Sequence, residues 1–202
     1  MIRWIVGFFM VGVVLISGSA VVAQDDAAEG SGLPACAEAS GGTPVTEEDE
    51  SSRPDWQMLE LTNAETNETF TIADFAGCPI LIETMATWCG SCFEQLGRIQ
   101  EATQTLEPET FVVIALSVEN GLPDATLADY QEQTGFSFVF SVASLEMLDA
   151  LNEEFGFTVL VPPATPHIYV APDGAFTDLI TGGSSVETVI ETIESLAESG
   201  TV

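Results

Sequence analysis

Cys89 and Cys92 are separated by two residues in Trp88-Cys89-Gly90-Ser91-Cys92, between the apolar run Pro79-Ile80-Leu81-Ile82 and a helical pattern. Two thiols at this spacing at a helix start can close a small disulfide ring, and the unpaired backbone N–H groups of the first turn stabilise a thiolate on the first sulfur. The chemistry is thiol–disulfide exchange, with Cys89 as the attacking thiolate and Cys92 as the resolving thiol that releases a mixed disulfide. A zinc site fits poorly, because there is no second CxxC and the sole histidine, His167, cannot complete four ligands with two thiols. No metal and no cofactor are therefore expected. Trp88, beside the attacking sulfur, reads as part of a substrate-facing apolar rim.

Placing such a pair takes a strand before it and a helix after it. Residues 79–84 read as a buried strand, and the following helix carries Cys92, Leu96, Ile99, Thr103 and Leu106 at helical spacing until Pro108 stops it. Upstream, 57–61 and 69–72 flank the turn-rich Asn63-Ala64-Glu65-Thr66-Asn67 and suggest a hairpin. Downstream the pattern alternates: a strand at 111–118, a helix at 125–133 and a short strand at 138–142. A helix at 144–155 with Leu145, Leu148 and Leu151 inward follows, then strands at 166–170 and 175–180 around an Ala171-Pro172-Asp173-Gly174 turn. Ser184 with Glu187 reads as a capping box for a last helix whose apolar face is Val186, Val189, Ile190, Ile193 and Leu196. Strands alternating with helices and ending in a hairpin predict an α/β fold, a mixed central sheet flanked by helices on both faces.

Four segments carry a family resemblance: Arg53-Pro54-Asp55-Trp56, Ala73-Asp74-Phe75-Ala76-Gly77, Ala86-Thr87-Trp88-Cys89-Gly90-Ser91-Cys92, and Thr165-Pro166-His167-Ile168-Tyr169-Val170-Ala171-Pro172-Asp173-Gly174. Together they resemble the thioredoxin-like TlpA/ResA group of exported thiol-disulfide oxidoreductases, over roughly residues 53–200. The resemblance implies a thioredoxin-like fold with an N-terminal hairpin and a helix–strand insertion at 125–142. It also implies that Glu83 is the buried acid this family carries near the resolving cysteine. Desolvation would raise the Glu83 pKa and let it take the Cys92 proton. Alternation along Ile80, Leu81, Ile82 and Glu83 leaves a solvent-facing Glu83 open. Pro166 is by the same resemblance a cis-proline holding an extended edge beside Cys89, with Thr165 touching the bound chain. A rigid loop of Pro162, Pro163 and Pro166 is the alternative. His167 reads as a packed strand residue without a role, and Met85 and Phe93 as core.

Some positions depart from that pattern. Gln95 stands where the ResA-like branch commonly has a glutamate, so that acid–base role falls to Glu83 or Glu94. Gly97 stands where thioredoxins place a helix-kinking proline, at a cost of up to about 1 kcal/mol relative to alanine. Ser91 replaces the proline of a CGPC motif, which predicts a less strongly reducing centre than thioredoxin.

With 202 residues, 46% of them hydrophobic, the chain is long enough for one sizeable core and short for two. Its 32 Asp and Glu stand against three Arg and no Lys, a formal charge of −29. Such a surface repels nucleic acid and anionic lipid headgroups and excludes both as partners. It fits either a high-salt exterior, where screening shortens repulsion to a few ångströms, or compositional bias with solubility. The same field disfavours a Cys89 thiolate, so the helix terminus works against it.

Arg3 precedes an uncharged stretch, 4–24, with an apolar core and a small-residue end at Val21-Val22-Ala23. Residues 1–23 read as an export signal, cleaved there or retained as a membrane anchor. Either outcome places the domain outside the cytoplasm, where disulfide chemistry operates. Residues 24–52 are acidic and Gly/Ser-rich and read as a disordered spacer, leaving 53–202 as the thioredoxin-like domain. Leu33-Pro34-Ala35-Cys36 superficially resembles a lipoprotein cleavage box, but an acidic stretch precedes it. Cys36 and Cys78 either pair, closing a loop of about 40 residues worth a few kcal/mol, or Cys78 relays oxidising equivalents to the active pair.

The expected function is that of an exported, monomeric thiol–disulfide oxidoreductase acting on exported thiol or disulfide proteins. The resemblance favours the reductive branch, with apocytochrome c among the partners and a membrane electron donor to reset the pair. A thiol peroxidase would need a threonine three residues before its reactive cysteine, where Ala86 stands. A redox-silent binding module, using the surface around Trp88 and Pro166, is the reading from a different class.

Overall fold

A computed structural model describes residues 53–107 and 110–199. The leader, the acidic spacer and Cys36 lie outside the described residues. Asp55–Met58 forms a one-turn helix (α1), and Leu61–Thr62 (β1) pairs antiparallel with Thr69–Phe70 (β2) in a two-residue ladder. A 3-10 turn at Ile72–Phe75, closed by a Thr71–Asp74 capping box, leads into Ile80–Met85 (β3). Then come Gly90–Thr103 (α2), Val112–Ser117 (β4), Asp124–Thr134 (α3), Val139–Val142 (β5) and Leu145–Phe155 (α4). Two 3-10 turns, Phe157–Leu160 and Pro162–Ala164, precede His167–Val170 (β6), and Val186–Ser199 (α5) is the last helix.

The central sheet has strand order β5-β4-β3-β6. β3 runs parallel to β4, and β4 to β5, whereas β6 joins β3 antiparallel. β3 and β4 are buried at all six positions each, as strands covered on both faces must be. Successive side chains alternate between those faces. One face sends Ile80, Ile82, Ile114, Leu116, Ile168 and Val170 against Trp56, Phe70, Met147 and Leu151. The other sends Leu81, Met85, Val113, Ala115, Phe140 and Tyr169 against Leu96 and Ile99 of α2, Leu127 of α3, and Val189 and Ile193 of α5. The chain is thus mixed α/β, with helices on both sides of a mixed sheet.

Several local expectations are corrected. The hairpin at 57–61 and 69–72 is cut to two residues per strand, because Asp55–Met58 turns into a helix that buries Trp56 against Phe155 and Phe176. Residues 175–180 are not a strand. They join β6 through the isolated bridges Val170–Phe176 and His167–Ile180 and a Thr177 N–H to the Tyr169 carbonyl, while the Thr177 hydroxyl takes the Tyr169 N–H that a ladder carbonyl would accept. Leu145 points outward with 62% exposure at the first position of α4, while Leu151 is buried. Ser185, not Ser184, caps α5, accepting the Thr188 N–H at 3.2 Å, and Ser184 turns inward instead. The expected insertion is present as α3 and the edge strand β5.

Candidate active site

Cys89 is the N-cap of α2: its backbone is extended, its Sγ accepts the Cys92 N–H at 3.1 Å, and its carbonyl accepts the Phe93 N–H that opens the helix. This places the sulfur on the positive end of a 14-residue helix. Cys89 and Cys92 form a disulfide with their Cα atoms 5.3 Å apart. The two sulfurs are not equivalent. Cys89 keeps 4% exposure beside Trp88, which is 66% exposed, whereas Cys92 is fully enclosed. Ser91 Oγ lies 3.4 Å from Cys89 Sγ and 3.2 Å from the Pro163 carbonyl, so its single proton can serve either. Cys92 Sγ lies 3.1 Å from the Pro162 carbonyl, which would accept its S–H once the bond is reduced.

Glu83 lies on the sheet face shared by Leu81 and Met85, the face over which Cys92 and Leu96 pack. It is fully buried, and neither carboxyl oxygen accepts a hydrogen bond. Burial pushes its carboxyl well above the usual carboxylate range. Opposite it in the β3–β6 register stands His167, whose Nδ1 is 3.6 Å from Glu83 Oε2. Burial lowers the His167 pKa, against a rise from its contact with the Thr165 carbonyl. The imidazole is held at both ends, by Thr165 O at 3.0 Å from Nδ1 and Ser184 Oγ at 2.8 Å from Nε2. Tyr169 sits on the same face, its phenol pushed up to about 12 by burial, with Thr192 and Ser184 opposing that rise and Glu83 adding to it.

The loop before the cysteines is anchored by Glu119, which accepts the Thr87 N–H at 2.6 Å and the Thr87 hydroxyl at 3.2 Å. Gln95 is buried, its Oε1 accepting from Arg98 Nη1 at 2.9 Å, so this position carries a neutral amide and no acid. Glu94 instead faces outward to Arg98, 3.9 Å away. Gly183 has the left-handed φ of 68°, which side-chain-bearing residues rarely adopt, and this turn brings Ser184 against His167. Among the described residues no three His, Cys, Asp or Glu side chains cluster as a metal site would require.

The structure brings the enclosed Cys92 to Cys89 beside the exposed Trp88, with Glu83 on the sheet face that Cys92 packs over, but corrects the Thr165–Pro166 expectation. No cis peptide bond occurs among the described residues. The chain reverses through the Pro162–Ala164 turn and a left-handed Thr165 with φ 46°, which buries both Thr165 and Pro166 and leaves Pro163 exposed beside Ser91. Thr165 donates its hydroxyl to Ala164 O and is not an exposed contact. Phe93, expected in the core, is 50% exposed next to Cys92. Cys78 is buried and is not a free thiol, while its expected partner Cys36 lies outside the described residues. Cys78 precedes the opposite end of β3 from the redox pair, about 20 Å away at ~3.3 Å per residue, so it cannot exchange directly with Cys89. The sequence left His167 without a role, read Ser184 as a helix cap and gave no sign of Glu119. The only signal for the first was an imidazole in the otherwise apolar strand His167-Ile168-Tyr169-Val170.

No family model and no curated protein match the sequence. Solved structures do. One is a thioredoxin-family thiol:disulfide interchange protein from Chlorobium tepidum, with TM-score 0.58 and 16% identity over 69% of this chain and 92% of that one. A pneumococcal exposed lipoprotein thioredoxin from Streptococcus pneumoniae gives 0.54 at 16% identity, over 68% of this chain and 98% of its own. A secreted Mycobacterium tuberculosis disulfide oxidoreductase, homologous to E. coli DsbE, gives 0.52 at 10% identity over 70% and 98%. The fold is therefore thioredoxin-like.

Proposed function

We propose that this chain is an extracytoplasmic thiol–disulfide oxidoreductase that reduces disulfides of exported proteins through Cys89 and Cys92. The observation that carries the reading is the asymmetry of the pair: one sulfur at a helix N-terminus beside an exposed tryptophan, the other sealed in the core on the sheet face that carries a buried acid. The Cys89 thiolate attacks a partner disulfide, forming a mixed disulfide and releasing one partner thiolate. Cys92 gives its proton to the Glu83 carboxylate and attacks Cys89 Sγ, which expels the second partner thiolate and leaves the Cys89–Cys92 bond. Two electrons pass to the partner, and a membrane thiol donor returns them. Trp88, Phe93 and Pro163 form the exposed rim for the partner chain. Apocytochrome c as such a partner rests on the family resemblance, and the place of work outside the cytoplasm on the export signal read at residues 1–23. The neighbours described as secreted or as an exposed lipoprotein support the location.

The test is the equilibrium of the pair against glutathione, read by alkylation and mass. A potential somewhat less negative than thioredoxin's, about −270 mV, is expected, and one near the strongly oxidising extreme of about −120 mV would overturn the reductive direction. Cys89→Ser should abolish turnover. A native protein that never cycles but still binds unfolded chains would leave the binding-module reading in place.

A further inference from the structure

Glu83 must be ionised to accept the Cys92 proton, yet it lies fully buried with no hydrogen-bond donor on either oxygen. An isolated carboxylate there is costly, and the cost falls only if a positive charge forms beside it. Deeper than the reading above, and resting on it, we propose that His167 is the counter-charge for Glu83, taking up a proton through Ser184 whenever Glu83 gives its own away. His167 then acts as a positioning residue through Glu83, keeping the buried site neutral overall while its proton moves.

The geometry supplies each part. β3 and β6 place Glu83 and His167 as direct cross-strand partners, with Nδ1 3.6 Å from Oε2 and both side chains fully enclosed. The Thr165 carbonyl, 3.0 Å from Nδ1, can only accept, so Nδ1 carries the proton of the neutral ring. Nε2 is then the vacant base, accepting the Ser184 hydroxyl at 2.8 Å. A second proton enters at Nε2. Ser184 turns from donor to acceptor, and the imidazolium so formed faces the Glu83 carboxylate. Ser184 is buried but lies between the exposed Gly182 and Ser185, so its hydroxyl joins the buried ring to the surface. The protons balance: when the pair is reduced, Glu83 gives its proton to the Cys92 thiolate while one from solvent arrives at His167 Nε2 through Ser184, and the reverse follows when Glu83 takes the Cys92 proton.

The other groups facing the pair do not replace this role. From β6 comes Tyr169, held neutral with its phenol near 12. From α2 come Cys92, and Gln95 with Arg98, the latter occupied by Gln95 and Glu94. β4 offers only Ala115 opposite Glu83, and α5 adds the uncharged Thr192 beside Tyr169.

His167 is the only histidine, so in tag-free protein its ring gives a single pair of imidazole signals. We would titrate these by NMR in the oxidised protein and in Glu83→Gln, a readout that needs no turnover. Loss of the carboxylate should lower the His167 midpoint by about one unit or more, a tenfold change in proton affinity. In turn, His167→Gln and His167→Asn should raise the pH at which the mixed disulfide is resolved by a similar amount, with Cys89 attack unchanged. Identical His167 titrations with and without the Glu83 carboxylate overturn the proposal even if exchange proceeds normally. Coupled titrations in a protein that never exchanges disulfides overturn the oxidoreductase reading and leave the pair intact.

Discussion

On one face of the sheet Ile80, Ile82, Ile114, Leu116, Ile168 and Val170 meet Trp56, Phe70, Met147 and Leu151; on the other, the same strands turn Glu83, His167 and Tyr169 toward the helix that carries Cys92. The first face is mostly hydrophobic packing, with the buried hydroxyls of Ser141 and of Thr84, the latter bonded to Val159 O at 2.6 Å. The second buries three titratable groups, Glu83, His167 and Tyr169, whose charged forms are all disfavoured by burial. Period-two alternation lets one set of strands serve both ends, an apolar core on each face and titratable groups on only one of them.

The largest expected effect breaks the apolar face alone. Leu151→Ala should cost about 2–5 kcal/mol, read as a lowered urea midpoint, with the glutathione equilibrium of the cysteines unchanged. A shifted potential would mean that the two faces are not independent.

The polar face should show itself in pH dependence. Glu83 keeps its proton well above the 4.5 at which the unfolded chain releases it, so over that interval the native state holds the extra proton. Stability therefore falls as pH rises, by up to about 1.4 kcal/mol per unit. His167 works the other way: neutral when folded, it is protonated in the unfolded chain below 6.5, and its contribution is lost as pH falls below that value. Between 4.5 and 6.5 the two slopes oppose each other. Relative to native protein, Glu83→Gln should gain stability as pH rises from 4.5, because the Glu83 loss is absent; matching profiles would remove the cost assigned to this face.

A smaller change sharpens the helix between the faces. α2 runs unbroken through Gly97, and a Cβ there meets nothing within 4 Å. Gly97→Ala should stabilise by up to about 1 kcal/mol in thermal or urea unfolding without altering exchange. Smallest of all, moving from dilute buffer to molar salt should lower the Cys89 pKa by a fraction of a unit, because screening weakens the field of a chain with charge −29. Thiolate absorbance or alkylation rate against pH would read it, and a constant value would show that the helix end dominates.

Much of this was legible in the residues. The six-residue buried strands, the redox helix and α4 were all marked by apolar patterning, with boundaries displaced by a residue or two. Residues 175–180 misled because their alternation looks like a strand, while the Thr177 hydroxyl breaks the ladder. Ser184 misled because it satisfies a capping-box pattern with Glu187, although its neighbour Ser185 does the capping.

The sequence by itself determined the redox pair. A cysteine at the N-cap and another three residues on are joined by local helix geometry, which puts Cys92 N–H on Cys89 Sγ whatever the rest of the chain does. Only the tertiary structure decided that Glu83 faces His167 and that Ser184 reaches the same ring. Those contacts depend on the β3–β6 register and on a glycine loop closing over α2, and a slip of one residue in that register would have turned Glu83 and His167 to opposite faces.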